Sequence, residues 1–134
     1  MAWIPWTSYK IYNMKKKTLV LGSSENTERY SNKAIRMLKQ YGYPVVAHGL
    51  RKGNVDGVPI ETTFTEEMND VDTITLYLSA KNQLPYYDKI IELHPKRVLF
   101  NPGTENYPFE QQLHEKGIET ECACTLVLLS TRTY

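Results

Sequence analysis

A chain of 134 residues, 41% hydrophobic and 23% charged, is long enough to bury one core and has the composition of a single globular domain. A net charge of +1 leaves no overall basic excess to neutralise a run of phosphates, which argues against nucleic acid as the main partner. The longest purely apolar runs, such as residues 126–129, are too short to span a membrane, and two cysteines, Cys122 and Cys124, make no disulfide framework, so a cytoplasmic setting is expected.

Residues 1–13, MAWIPWTSYKIYN, lack the basic start and continuous apolar core of a signal peptide. They read as a peripheral extension of a domain over 14–134 that begins at Met14. The other reading docks the Trp3 and Trp6 rings on the domain or on a second copy of the chain. Residues 17–33, KTLVLGSSENTERYSNK, organise the rest. Thr18–Leu21 has no polar alternation and fits a central strand covered on both faces. Gly22-Ser23-Ser24 is a small-residue turn. Ser31 or Asn32 is expected to cap the helix that follows, with Ala34, Ile35, Leu38 and Tyr41 as its apolar stripe and Gly42 as its stop.

Residues 44–47 read as the second strand, 49–56 as a loop carrying Arg51-Lys52, and 58–60 as a short extended piece. A short helical segment over 64–69 precedes the third strand, 72–78, rich in Thr, Ile and Tyr. A polar turn over 79–83 leads into a helix with Pro85 in its first turn. Arg97–Phe100 is the fourth strand and residues 101–104 its turn. Asn106 is expected to cap a helix ending at Gly117. Residues 118–122 form the fifth strand, and 125–129 an apolar segment of open type. This alternation predicts an α/β, Rossmann-like doubly wound sheet of about five mainly parallel strands, in order 3-2-1-4-5, with helices on both faces. Ligands bind such sheets at the carboxyl ends of the strands, beside the switch point. That rule selects the loops 22–31, 78–83 and 101–105.

A dinucleotide fingerprint needs glycines at the positions of Gly22, Ser24 and Thr27, and only the first is present. Strand 2 is followed by Arg51-Lys52 where NAD binders place an acid for the ribose hydroxyls. A basic pair there suits a phosphate on the ribose. NADP, with a 2′-phosphate, and coenzyme A, with a 3′-phosphate, both qualify, as do plain solvated loop charges.

The motifs LGSSENTERYSNKA, the GY-V of residues 42–45 leading to RKG, LYLSAKNQ, NPGTEN and ACTLVLL resemble the CoA-binding domain family. These are small stand-alone proteins similar to the CoA-binding part of succinyl-CoA synthetase α-subunits, and the resemblance runs from about residue 17 to 134. It implies that Gly22, Ser23 and Ser24 hold the CoA pyrophosphate through backbone and hydroxyl groups. Tyr30, Ser31 and Asn32 would line the helix end of that pocket. Arg51 and Lys52 would meet the adenosine end and its 3′-phosphate. Ser79, Lys81 and Gln83 would border the pocket after strand 3, and Pro102, Gly103 and Thr104 would lie along the pantetheine arm. The large synthetases add a phosphohistidine and further domains. Here His48, His94 and His114 stand alone, so the resemblance implies binding of CoA or acyl-CoA without catalysis.

The rival readings are a small NADP-dependent oxidoreductase and a non-catalytic subunit of a larger CoA-using assembly. Cys122 and Cys124 read as buried, inert thiols; the sharper alternative places Cys124 near the pantetheine thiol. No metal site is expected, since no CxxC or His pair accompanies them. Tyr77, Tyr86 and Tyr87 read as packing residues.

Overall fold

Short aliphatic and β-branched runs dominate the middle of the sheet. The computed structural model describes residues 15–134; the expectations for residues 1–13 lie outside the described residues. Strands β1 (Thr18–Leu21), β2 (Val45–His48), β3 (Gly53–Val55), β4 (Val58–Glu61), β5 (Thr73–Leu76), β6 (Arg97–Phe100) and β7 (Glu119–Cys122) form one seven-stranded sheet in the order β3-β4-β2-β1-β5-β6-β7. All neighbours run parallel except the β3–β4 hairpin. The helices are α1 (Tyr30–Gln40), α2 (Ala80–Gln83), α3 (Tyr87–Leu93), α4 (Tyr107–Glu115) and α5 (Thr125–Ser130). Single 3-10 turns occupy Glu66–Met68, where a helical segment is expected over 64–69, and Leu84–Tyr86.

Successive side chains of a strand point to opposite faces. Leu19 and Leu21 of β1 therefore join Ile74, Leu76, Val98 and Phe100 under α3 and α4, where Ile90, Phe109 and Leu113 meet them. Val20 turns the other way, with Ala47, Ile60 and Leu99, against Ile35 and Leu38 of α1 and Leu129 of α5. All four residues of β1 and of β5 are buried, which is why neither shows polar alternation. Each such buried Leu, Ile or Phe contributes roughly 1.5–3 kcal/mol.

The Rossmann-like class holds, with two differences from the expected order. Residues 58–60 are not a stray extended piece: β4 pairs parallel with β2, through Ala47↔Ile60 and His48↔Glu61. The strand expected third, within 72–78, therefore does not lie outside β2. It lies against β1 in the register Thr18↔Thr73 to Leu21↔Leu76. Numbering the six parallel strands in sequence gives 3-2-1-4-5-6, the doubly wound order, with β5 as strand 4. Pro59 hides β4 from a strand pattern, because proline normally marks an edge. It is tolerated opposite Asn54 in the antiparallel hairpin. The hairpin turn is Asp56-Gly57, with φ of 51° and 87°, the positive pair that a two-residue Asp-Gly turn adopts.

Helix ends follow the expectations in part. Gly42 stops α1 at φ +83°, with Tyr43 N–H donating back to Leu38 O at 2.9 Å. Asn106 caps α4, its Oδ1 accepting from Phe109 N at 3.3 Å. The start of α1 differs: Arg29 is the N-cap and makes no side-chain cap bond, while Ser31 and Asn32 are buried inside the first turn. Residues 125–129 belong to helix α5. Among the described residues no helix is long and apolar enough to cross a membrane.

Candidate functional site

The chain leaves β1 for α1 on one face of the sheet and leaves β5 for α3 on the other, so the switch point lies between these two neighbours. A cavity of about 900 Å³ opens there, at the carboxyl ends of the strands. Its walls come from 22–26 and 29–31 after β1, 50–52 after β2, 77–79 and Asn82 after β5, and 102–104 after β6.

The floor is built by close backbone approach. Gly22 has φ +98°, and a Cβ there would lie 2.9 Å from Tyr77 O, so both conformation and space require glycine. Gly22 N and Ser23 N both donate to His48 O, at 3.0 and 2.9 Å. Ser23 Oγ donates to Val20 O at 2.8 Å and the residue is buried. The first two residues of the turn thus spend their backbone donors on β2 and the Ser23 hydroxyl on β1. Ser24 differs: its Oγ accepts from Asn26 N at 3.1 Å, and among the described residues it donates to no protein acceptor. Ser24 is the turn residue whose hydroxyl hydrogen is open to a ligand.

Tyr30, 66% exposed, and Ser31 line the wall at the start of α1, where the helix's positive end favours an anion. Arg29 beside them adds a cation that the sequence reading did not single out. Arg51 and Lys52 stand exposed on the opposite wall, next to Leu50, whose side chain is 83% exposed. Ser79 lines the wall after β5. Pro102 and Gly103 are exposed at the far end, and Thr104 is buried below them, its Oγ1 donating to Asn101 O at 2.7 Å.

Three residues expected in the lining stand outside it. Gln83 is fully buried: its Nε2 donates to Leu78 O at 2.8 Å and Thr104 O at 2.7 Å, and its Oε1 accepts from Asn106 Nδ2 at 2.9 Å. It staples the loop after β5 to the loop after β6. Asn32 is buried behind the turn after β1, donating to Ser24 O at 2.9 Å and accepting from Arg36 Nε at 2.8 Å. Lys81 is exposed on α2, away from the cavity wall. The family resemblance implied all three as site residues; the two amides, Asn32 and Gln83, are buried and turn inward to satisfy backbone groups, while Lys81 is exposed.

Behind the wall, Asn101 ties the sheet ends together. Its Nδ2 donates to Thr75 Oγ1 at 2.6 Å and Leu76 O at 2.9 Å, and its Oδ1 accepts from Thr125 N at 2.8 Å. Tyr77, a lining residue, reaches toward this network. Thr75 and Thr125 pair with each other at 2.8 Å, and the buried Tyr77 hydroxyl lies beside both but within hydrogen-bond geometry of no partner among the described residues. Burial pushes its phenol up to about 12, so it stays protonated.

His48 supplies its carbonyl to the turn, but its ring lies on Phe64 at 4.5 Å with the Tyr86 edge at 5.6 Å. Burial holds the imidazole below its ordinary pKa, against the Thr62 backbone hydrogen bond, and so favours the neutral ring. Neither cysteine is buried, contrary to expectation: Cys122 is exposed on edge strand β7 and Cys124 half-buried ahead of α5. Desolvation, then the Glu110 carboxylate, pushes the Cys122 thiol up, which disfavours the nucleophilic thiolate. Cys124 is not among the cavity-lining residues. Among the described residues no cluster of His, Cys, Asp and Glu could hold a metal ion.

Known proteins match this architecture. A crystal structure of an uncharacterized protein is 46% identical, with a TM-score of 0.86, covering 91% of this chain and 100% of that one. A Thermus thermophilus protein, cell-free ID.343, is 21% identical with a TM-score of 0.78, over 96% of this chain and 98% of that one. The dinucleotide-forming acetyl-coenzyme A synthetase 1 of Ca. Korarchaeum cryptofilum, in complex with phosphate and ADP, is 16% identical with a TM-score of 0.66; the match covers 85% of this chain and 26% of that one. At these last two identities the likeness is one of fold. No functionally curated protein matches. The model of the CoA binding domain matches residues 16–130, almost the whole of the described chain, and the protein belongs to that family.

Proposed function

We propose that the cavity binds coenzyme A or an acyl-CoA, extended along the carboxyl edge of the sheet, and that the protein acts by binding rather than by catalysis. One observation carries the reading. In a chain of the CoA binding domain family, a single cavity of about 900 Å³ joins the small-residue turn, the start of α1 and the Arg51-Lys52 pair. That volume lies toward the upper end for small-molecule sites, as a long ligand requires. The pyrophosphate sits by Ser24, Arg29 and the first turn of α1, with Gly22 and Ser23 shaping the floor beneath it. The adenosine 3′-phosphate meets Arg51 and Lys52, and the exposed Leu50 and Tyr30 give the adenine apolar surface. The pantetheine arm crosses Ser79 toward Pro102, Gly103 and Thr104.

Calorimetric titration with CoA, dephospho-CoA, NADP and NAD tests this reading. CoA binds most tightly, and dephospho-CoA binds more weakly for want of the 3′-phosphate. Arg51→Ala narrows that difference by about tenfold, the worth of one charge-assisted phosphate contact. Binding of NADP without binding of CoA overturns the proposal in favour of an oxidoreductase.

A further inference from the structure

The phosphate turn and the basic loop follow neighbouring strands, and one carboxylate joins them. Glu25 Oε2 accepts from Asn54 N at 3.0 Å, across a sequence gap of 29 residues. The chain between β2 and that bond carries Leu50, Arg51 and Lys52, all exposed. Gly53 lies directly under the Glu25 side chain: a Cβ there would stand 2.4 Å from Glu25 Cδ and 2.5 Å from Cγ. The glycine therefore makes room for the carboxylate, and the carboxylate holds the loop from above. Farther back the same loop is anchored by Gly49 N donating to Glu61 O at 3.0 Å. The Arg51-Lys52 segment is thus suspended between the Gly49 sheet bond on one side and, on the other, the start of β3, which both its pairing with β4 and the Glu25 bond hold.

A bare carboxylate on the wall of an anion site repels the ligand it faces. Glu25 lines the same cavity as Arg29, Arg51 and Lys52, so its charge alone works against phosphate binding. Its hydrogen bond works the other way, because a loop held in one place loses less freedom when a phosphate binds.

We propose that Glu25 is a positioning residue. It straps the start of β3, directly after the 50–52 loop, to the turn after β1 and so fixes where Arg51 and Lys52 meet the ribose phosphate, setting the selectivity for a 3′-phosphorylated ligand. This rests on the CoA reading above. Two neutral variants separate the strap from the charge. Glu25→Gln keeps an acceptor for Asn54 N and loses the charge; Glu25→Ala loses both. Gly53→Ala removes the strap by a second route, because its new methyl group displaces the carboxylate.

The experiment measures affinity for CoA and for dephospho-CoA in each variant, with a thermal melt to establish folding. Glu25→Gln retains at least the wild-type ratio between the two ligands. Glu25→Ala narrows it by about fivefold relative to Glu25→Gln, since the cations are then held less well. Gly53→Ala narrows it likewise. A ratio in Glu25→Ala equal to that in Glu25→Gln overturns the proposal. Limited tryptic cleavage after Arg51 and Lys52, without ligand, gives a reading that does not depend on CoA. Cleavage in Glu25→Ala is faster than in Glu25→Gln if the strap exists; equal rates overturn it. A wild type that cuts slowly at these sites, but shows no preference for CoA over dephospho-CoA, keeps the strap, removes its ligand role, and refutes the placement of the 3′-phosphate.

Discussion

Gln83 distinguishes a residue that touches a ligand from one that holds the wall in place. Replacing it with alanine removes two donors, one from the buried Thr104 O and one from the half-buried Leu78 O, and one acceptor from Asn106, which keeps its bond to the Tyr87 hydroxyl at 2.6 Å. An orphaned buried carbonyl costs about 1–3 kcal/mol, and the lost side-chain volume adds to this. The expected loss is about 3–4 kcal/mol, read by urea denaturation with an unchanged m-value. At roughly 3 °C per kcal/mol the melting midpoint falls by about 10 °C. Gln83→Glu is the sharper perturbation. It keeps the volume but turns a carboxylate toward two carbonyl oxygens, and at neutral pH it destabilises at least as much as alanine does. A loss below about 1 kcal/mol in Gln83→Ala, or wild-type stability in Gln83→Glu, refutes the staple.

Gly22→Ala forces a positive φ on a residue with a Cβ and drives that Cβ against Tyr77 O, so it loses about 2–3 kcal/mol of stability by denaturant titration; an unchanged midpoint counts against the close approach. Tyr77→Phe removes a buried hydroxyl that meets no partner in hydrogen-bond geometry among the described residues and raises stability by about 1 kcal/mol in the same assay, whereas a loss shows that the hydroxyl is bonded, to Thr75, Thr125 or water. His48 titrates below its ordinary 6.5 in the folded chain because of burial, so the unfolded chain binds the extra proton first. Stability therefore falls as pH drops through about 6.5, by at most about 1.4 kcal/mol per unit, and His48→Phe flattens that part of the profile; an unchanged slope in the variant removes His48 as its source.

The β1–α1 unit was legible because an uninterrupted apolar run, a small-residue turn and an amphipathic stripe coincide in residues 18–41. The β3–β4 hairpin was carried by Asp56-Gly57, a recognisable turn pair, but Pro59 broke the strand pattern beside it. Missing β4 moved β5 to the wrong side of β2, since the parallel order was counted one strand short. Residues of the loops 22–31, 78–83 and 101–105 nevertheless line one cavity, together with residues 50–52. The carboxyl ends of all parallel strands face the same way, so an error in strand order leaves the cavity edge unchanged. Individual side chains were less legible. Residue type does not say whether an amide at a helix end faces ligand or backbone, and Asn32 in the first turn of α1 and Gln83 at the end of α2 face backbone. Glu25 and Arg29 join the cavity only through the path of the loop between β1 and α1.

The two ends of the cavity are held by different means, and this bears on how it would discriminate between ligands. At the β5–β6 end, Asn101 and Gln83 together tie Thr75, Leu76, Leu78, Thr104 and Thr125 by buried amide bonds. At the β2 end, Arg51 and Lys52 are exposed, and the loop carrying them is tied to the phosphate turn at Glu25. A rigid wall fixes shape whether or not a ligand is present. An exposed cationic loop gives its full charge-assisted contact only when held in register with the phosphate. On the placement proposed for CoA, recognition of the pantetheine arm responds mainly to changes that unfold the domain, and recognition of the ribose phosphate to single substitutions on the loop that leave the fold intact. Substitutions at Arg51, Lys52, Glu25 and Gly53 can then alter ligand choice while the stability of the sheet is unchanged.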